Sequence, residues 1–205
     1  MTGKDLLKEF EWRGLYSQST DRSDLEQHLS AGSKTVYCGF DPTADSLHIG
    51  SLVPLLALRR FQEFGHKPIV LIGGATGLIG DPSGKSAERN LLENKTIEHN
   101  CKGIEKQLSK FLDFDSNKSN AAVMINNLDW MASFKLIDFT RDIGKHLTVN
   151  YMMAKESVKK RLGADVKEGM SFTEFTYQLI QGYDFLHLYE HHNCLLQMGG
   201  SDQWG

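Results

Sequence analysis

Cysteine is scarce in this sequence, and long apolar runs are absent from it. The 205 residues include three cysteines, Cys38, Cys101 and Cys194, which lie far apart. An odd and sparse set of cysteines argues against a disulfide framework and indicates a reducing compartment. No apolar stretch approaches the ~20 residues of a membrane-spanning helix. The mixed charges of residues 1–12 do not resemble a signal or transit peptide, so a cytoplasmic protein is expected.

A strong charge of either sign is also lacking. The net charge is −3 and the pI is about 6.2. This overall charge does not indicate nucleic-acid binding, although a local basic patch is compatible with it. Cys194 follows His191 and His192, but no second pair of ligands stands at the spacing of a zinc site, so no metal site is predicted. The length and the 40% hydrophobic content suit one domain with a core.

The first 33 residues are predicted to form a helical segment that precedes the main domain. Apolar spacing predicts a helix at Asp5–Arg13 and a second at Ser23–Ala31. Ser23 is the expected N-cap of the second helix, with Glu26 as its capping-box partner. Residues 34–205 are then expected to form the main domain.

That domain is predicted to be α/β, with a Rossmann-like parallel sheet. Thr35–Cys38 should form a strand that breaks at Gly39, Leu52–Phe64 a helix, and Pro68–Gly73 a buried strand. This βαβ unit should have a right-handed crossover. The further predicted elements are a long helix within 88–112 with a possible break near Gly103, a buried strand at 121–125, helical pieces within 131–163, a helix at 171–190 and a strand at 194–200.

The stretch at residues 35–51 predicts an anion site. It reads TVYCGFDPTADSLHIGS, a strand followed by turn-forming residues and a helix start. Free backbone N–H groups at a helix start favour phosphate, and Thr43 and His48 supply further donors there. Ligands of open α/β sheets bind at this end of the strands. The alternative is an ordinary turn with a surface histidine.

A glycine-rich stretch, GGATGLIGDPSGKS, follows the second strand at residues 73–86. Its glycines do not have the spacing of a dinucleotide-binding fingerprint. Gly84, Lys85 and Ser86 fit the end of a Walker A loop, but Ile79 stands where that loop needs its first glycine. We therefore predict a loop of another kind.

Three polar residues interrupt the apolar helix predicted near the C-terminus. Tyr177, Gln181 and Asp184 recur at i, i+4 and i+7, which puts them on one stripe of the helix. Buried polar groups need partners, so the stripe indicates a binding site. A solvated stripe is the alternative.

Together these strings resemble the tyrosyl branch of the class I aminoacyl-tRNA synthetases. The first stretch matches that family's first signature at every fixed position except Ser51, where histidine is frequent. The glycine-rich loop, the Tyr-x-x-x-Gln-x-x-Asp helix and the final GGSDQWG turn also resemble the family, so the likeness covers essentially the whole chain.

The resemblance implies that tyrosine reacts with ATP to give tyrosyl-adenylate and pyrophosphate, and is then transferred to tRNA(Tyr). Mg²⁺ would accompany ATP. Thr43 and His48 are the implied catalytic residues, while Tyr37 and Asp184 would bind the phenolic hydroxyl. The implied tyrosine-binding residues are Tyr37, Thr76, Asp81, Asn126, Tyr177, Gln181, Asp184 and Gln197. The implied ATP-binding residues are Gly39, Asp41, His48, Gly50, Gly200, Asp202 and Gln203.

The resemblance also implies a helical insertion at about 130–165 and a homodimer formed through residues 130–172, with Phe172 as an interface aromatic. A basic cluster lies in this region, and it is either a solvated face or an RNA contact. Its members are Lys155, Lys159, Lys160 and Arg161. The family's second signature and its C-terminal RNA-binding regions are not in the sequence, which suggests a truncated catalytic domain. One alternative is a non-catalytic fragment that binds tyrosine or a nucleotide, or that serves dimerisation. Another is a related nucleotidyltransferase or a tryptophan-specific ligase that shares the His-x-Gly turn.

Overall fold

The computed structural model describes residues 2–82, 92–155, 158–159, 161 and 169–204. Its strands are β1 (Thr35–Phe40), β2 (Lys67–Ile72), β3 (Val123–Asn126) and β4 (Cys194–Gln197). Its helices are α1 (Gly3–Trp12), α2 (Arg22–Ser30), α3 (Leu52–Glu63), α4 (Gly74–Ile79), α5 (Asn94–Leu108), α6 (Leu128–Met131), α7 (Leu136–Asp142), α8 (Val149–Met153) and α9 (Phe172–His192). Short 3₁₀ turns lie at Ile49–Ser51, Gly144–His146 and Ser201–Gln203.

The described strands form one parallel sheet in the order β3-β2-β1-β4. Tyr37 of β1 lies between Ile69 of β2 and Gln197 of β4 in the register. All four strands run the same way, so their carboxyl ends meet at one edge of the sheet. The predicted α/β, Rossmann-like sheet is confirmed, and its ligand-binding edge is defined.

Alternation along β1 and β2 divides the core into two clusters, one on each face of the sheet. Val36, Cys38 and Val70 face a cluster that includes residues of α1, α3 and α5. Tyr37 and Ile69 face the other cluster, which includes residues of α6 and α9. Helices thus cover both faces, as expected of a parallel sheet. None of the described helices has the length and hydropathy needed to cross a membrane.

The N-terminal helices pack into the first of these clusters. Leu6 and Leu29 are almost fully buried there. The predicted cap of the second helix is wrong, because the carboxylate of Asp21, two residues before Ser23, accepts a hydrogen bond from the Asp24 N–H and caps α2. Gly32 follows α2 with φ at +102°, a conformation that favours glycine.

The sequence predicted that β1 breaks at Gly39, and this prediction is wrong. The strand continues because Gly39 and Phe40 pair with β2, and the Phe40 side chain is buried. β3 was predicted to be a buried strand, but its side chains are only half-buried. It lies at the edge of the described sheet, where one side lacks a neighbouring strand.

The glycine-rich stretch begins with a helix rather than a loop. α4 follows β2 directly and ends at Gly80, whose φ is +90°. The other predicted loop residues, 83–86, lie outside the described residues, as do positions 88–91 of the predicted long helix. α5 itself is continuous through Gly103, where an added Cβ would lie 2.1 Å from the Asp45 carbonyl oxygen. Gly103 therefore permits a close approach of two backbones instead of breaking the helix.

Candidate active site

The polar stripe of α9 faces the sheet edge rather than solvent. Tyr177 and Asp184 are buried and Gln181 is half-buried. Ser171 starts the helix by accepting a hydrogen bond from the Glu174 N–H. Because the two ends of the stripe are buried, the alternative of a solvated stripe is wrong.

Asp41 joins β1 to this stripe. Its Oδ2 accepts a hydrogen bond of 2.8 Å from the Tyr177 hydroxyl, and its Oδ1 accepts one of 2.6 Å from the Thr76 hydroxyl. Burial, and then the neighbouring Asp41 carboxylate, raise the pKa of Tyr177. A Cβ on Gly73 would lie 1.9 Å from Asp41 Oδ1, so only glycine leaves room for this carboxylate. Asp41, predicted to bind ATP, is thus bonded to two residues predicted to bind tyrosine.

Asp184 lies at the other end of the stripe. Its Oδ2 accepts a hydrogen bond of 2.9 Å from Asn127 Nδ2, and its Oδ1 accepts one of 3.0 Å from the Trp130 indole N–H. Burial raises the pKa of Asp184 to about 7, although both hydrogen bonds act in the opposite direction. The carboxylate is therefore held in place by two donors from one short segment.

The hydroxyl of Tyr37 is buried and has no hydrogen-bond partner within the described residues. Burial, and then the charge of Asp184, raise the pKa of this phenol. A buried hydroxyl without a partner costs about 1–3 kcal/mol. A ligand hydroxyl placed beside Tyr37 and Asp184 could both donate and accept a hydrogen bond, and it would remove that cost. The pair therefore has the properties expected of a binding site for a hydroxyl group.

The two asparagines at the end of β3 make different contacts. The predicted residue, Asn126, accepts a hydrogen bond from the Leu128 N–H. Asn127 is fully buried, accepts from the Ala75 N–H at 2.7 Å and donates to Asp184. Sequence reasoning chose Asn126 rather than Asn127 for the pocket, and it missed Trp130. Strand alternation could have found Asn127, because residue 127 continues the face of Ile125, which packs on the α9 side.

A second set of hydrogen bonds is centred on Gln203. Its Nε2 donates to Asp81 Oδ2 at 3.0 Å and to Asp202 Oδ2 at 3.1 Å. Its Oε1 accepts from Gln181 Nε2 at 3.1 Å. A Cβ on Gly200 would lie 2.4 Å from Asp202 Oδ1. The final turn of the described chain is thus joined to α9 and to Asp81, two residues beyond the end of α4.

The predicted phosphate turn is exposed. Thr43 and His48 are open to solvent, and His48 Nδ1 accepts a hydrogen bond of 3.1 Å from the Gly50 N–H. Because Nδ1 is an acceptor, Nε2 carries the proton of the neutral ring and can donate it to a ligand. Thr43 donates its N–H to the Asp41 carbonyl, and its hydroxyl is exposed.

Two further predicted residues lie near this edge and take no part in the side-chain hydrogen bonds described above. Gly39 has open space where a Cβ would be, and it belongs to β1. Gln197 is exposed and pairs with Tyr37, so the two side chains share one face of the sheet. Both positions stay predictions.

Comparison with known proteins identifies the family. Residues 30–205 match the family described as "tRNA synthetases class I (W and Y)", in which the letters stand for tryptophan and tyrosine. The chain belongs to this family. The tyrosine–tRNA ligase of Flavobacterium psychrophilum is 63% identical over 202 residues, which are 98% of this chain and 46% of that protein. The tyrosine–tRNA ligase of Bacteroides fragilis is 61% identical over 201 residues, with the same coverage.

Solved structures of synthetases agree with this assignment. The mitochondrial tyrosyl-tRNA synthetase of Aspergillus nidulans, truncated at its C-terminus, has a TM-score of 0.85 at 30% identity, covering 97% of this chain and 57% of that one. The tryptophanyl-tRNA synthetase of Plasmodium falciparum shares the fold, with a TM-score of 0.56 at 16% identity, covering 87% of this chain and 44% of that one. This chain spans about half the length of the curated relatives it matches.

The basic cluster of this synthetase chain is not a uniform solvated face. Arg161 is buried and makes a bidentate ion pair with Glu174, at 2.9 and 3.0 Å. Arg161 is therefore neither on a solvated face nor available to RNA, because its guanidinium is paired with Glu174 in the protein interior. Lys155 donates to the Tyr151 hydroxyl, Lys159 is exposed, and Lys160 lies outside the described residues.

Proposed function

We propose that the whole protein is a tyrosine–tRNA ligase. It joins tyrosine to ATP, giving tyrosyl-adenylate and pyrophosphate, and then transfers tyrosine to the 3′ end of tRNA(Tyr). The observation that carries this proposal is the buried Tyr37 hydroxyl, without a described partner, beside the charge of Asp184. The high identity to tyrosine–tRNA ligases supports it.

The phenol of tyrosine bonds to Tyr37 and Asp184 and thereby completes their hydrogen bonding. Phenylalanine would occupy the same space and leave these buried polar groups unpaired. Tyrosyl-tRNA synthetase is itself the standard example of this form of selection, with a discrimination of about 10⁵ against phenylalanine. The amino end of the substrate binds near Tyr177, Gln181 and Asp81, where the carboxylate of Asp81 attracts an ammonium group.

The first reaction needs no nucleophile from the protein, because the tyrosine carboxylate attacks the α-phosphorus of ATP. One P–O bond forms to the carboxylate oxygen, and the P–O bond to pyrophosphate breaks. Negative charge grows on the phosphate oxygens, and donation from His48 Nε2–H and the Thr43 hydroxyl stabilises it. Loss of one such donor reduces the rate by roughly 10²–10³.

The ATP moiety lies along the turn after β1 and the final turn. Gly39 and Gly50 let the nucleotide approach the backbone, Gly200 and Asp202 hold the ribose, and Gln203 lies near the reacting carboxylate. Mg²⁺ would accompany ATP and would help to neutralise the charge of its phosphates. Asn126 and Gln197 complete the amino-acid pocket.

We also propose a homodimer formed through residues 130–172. Apolar side chains in this region are strongly exposed, and such surface is typical of interaction sites. The exposed members are Leu136, Ile137, Val149, Tyr151, Met153 and Phe172. A cytoplasmic location fits three buried free cysteines and substrates such as ATP and tRNA.

Calorimetric titration with tyrosine, phenylalanine and tryptophan tests the proposal, first with the wild-type chain and then with Asp184→Ala. We expect tyrosine to bind, phenylalanine and tryptophan to bind far more weakly, and Asp184→Ala to lose the preference. Pyrophosphate exchange with the full-length protein then tests activation. Equal binding of all three amino acids would contradict a tyrosine-specific ligase, and tyrosine binding without exchange would leave only a binding protein.

A further inference from the structure

Trp130 is held at two points by α9. Its indole N–H donates to Asp184 Oδ1 at 3.0 Å, and its ring stacks on the His187 imidazole, with centroids 4.1 Å apart and planes at 18°. Trp130 itself belongs to the four-residue helix α6, whose N-cap Asn127 makes no side-chain capping bond. So short a helix has little stability of its own. The indole orientation must therefore come from its contacts.

Asp184 and His187 act on the same indole because of helix geometry. They are three residues apart on α9, so they lie next to each other on one face. One provides an acceptor at the edge of the indole, and the other covers its face. Without the imidazole the indole could tilt about its hydrogen bond, and the N–H would lose its alignment with Asp184.

We infer that His187 is a positioning residue for the selection of tyrosine over phenylalanine. The imidazole holds the Trp130 indole, the indole N–H fixes the Asp184 carboxylate, and the carboxylate faces the phenol of the substrate. This inference rests on the proposed function. His187 does not touch the substrate and acts through Trp130 alone.

The stacking requires an aromatic ring but no charge. Burial, and then the neighbouring His191 and His192, lower the pKa of His187, which favours the neutral ring at neutral pH. Near-parallel stacking of neutral rings relies on contact area and dispersion. Phenylalanine should therefore replace His187 with little loss, whereas alanine or leucine should not.

The first test follows the indole itself and needs no substrate. In ¹⁵N NMR spectra, the Trp130 Nε1–H signal is assigned by its loss in Trp130→Phe. We expect hydrogen exchange of this N–H to be at least about ten-fold faster in His187→Ala and His187→Leu, and unchanged in His187→Phe and in the control His146→Ala, at an exposed histidine outside α9. The His187→Leu variant keeps a side chain of similar volume without an aromatic ring, so it controls for a folding defect caused by a cavity. Unchanged exchange in both His187→Ala and His187→Leu would overturn the inference.

The second test measures selection by calorimetry with tyrosine and phenylalanine. In His187→Ala and His187→Leu the ratio of the two affinities should fall about ten-fold, the weakening expected when a hydrogen bond to a charged group is perturbed. His187→Phe should restore the wild-type ratio. An equal loss for both ligands, or failure of phenylalanine to rescue, would overturn the inference. Absence of any tyrosine preference in the wild type would instead overturn the proposed function.

Discussion

Buried polar side chains at the sheet edge determine what the site can bind. Asp41 bonds to Thr76 and Tyr177 at one end of the α9 stripe, and Asp184 bonds to Asn127 and Trp130 at the other. The two donors to Asp41 come from separate parts of the chain, whereas both donors to Asp184 come from one short segment. In contrast, the hydroxyl of Tyr37 is buried beside this network without a described partner. Under the proposed function, the paired carboxylates stabilise the fold and the unpaired hydroxyl is left for the substrate.

Tyr37→Phe should therefore affect stability and binding in opposite directions. Removal of an unpaired buried hydroxyl should leave the free energy of unfolding unchanged or raise it by about 1 kcal/mol. The affinity for tyrosine should fall about ten-fold, while that for phenylalanine should not fall. Urea unfolding and calorimetry measure the two effects. Tyr189→Phe, at an exposed tyrosine of α9, is the control, and a Tyr37→Phe variant that binds tyrosine normally would contradict this role.

The raised pKa of Asp184 predicts a pH dependence of stability. The folded state keeps its proton up to about pH 7, whereas the unfolded state loses it near 3.8. Folding therefore binds a proton between these values, so the stability that depends on this group is present below pH 4 and is lost as the pH rises through about 7. The full change corresponds to roughly 4 kcal/mol.

Asp184→Asn cannot titrate and provides the comparison. Between pH 5 and pH 8 the wild type should lose stability relative to this variant, with most of the loss complete by pH 8. Urea unfolding at several pH values measures the difference. A difference that does not vary with pH would show that Asp184 is ionised in the folded protein throughout this range.

At the scale of elements, periodicity predicted the helices and strands that have strong patterns of their own. α9, β1 and β2 agree with their predicted positions to within a few residues. α4 was missed because its glycines have poor helix propensity. Its stability comes from tertiary contacts, including the hydrogen bond from the Ala75 N–H to Asn127. The partner lies about fifty residues away, so no local pattern could reveal it.

The ion pair of Arg161 with Glu174 links the segment before α9 to the first turn of that helix. Both side chains are buried. Removal of one partner leaves an unpaired buried charge, so Glu174→Ala should reduce the free energy of unfolding by about 3–5 kcal/mol. The double variant Arg161→Met, Glu174→Leu should lose much less, because neither charge remains. Chemical denaturation of both variants tests this, and equal losses would contradict it.

At the scale of the whole molecule, the two faces of the sheet have different roles. One face packs against α1, α3 and α5, and the other carries Tyr37 and α9. The sequence predicted the parallel sheet because its strands read as apolar runs separated by helices. It could not predict which buried polar residues meet across the sheet, because that depends on the register of strands distant in sequence.

The exposed apolar region at residues 130–172 predicts the oligomeric state. Phe172 is 78% exposed and Trp12, on α1, is 76% exposed. We expect a dimer by light scattering, which Phe172→Asp converts to a monomer because the charge would be buried in the interface. An acidic residue at the start of α9 is compatible with the helix. Trp12→Asp, the matched control, should stay dimeric, and a Phe172→Asp dimer would exclude this interface.

Tyr177 and Asp184 lie on one rigid helix, so the distance between the two residues is fixed. Seven residues of α-helix span about 10 Å, so the two ends of the cleft cannot move independently. Under the proposed function, this helix fixes the distance between the group that binds the amino end of the substrate and the group that binds its para substituent. Changes at Asp184 could thus admit longer para-substituted side chains while Tyr177, two turns away, keeps its grip on the common amino-acid end.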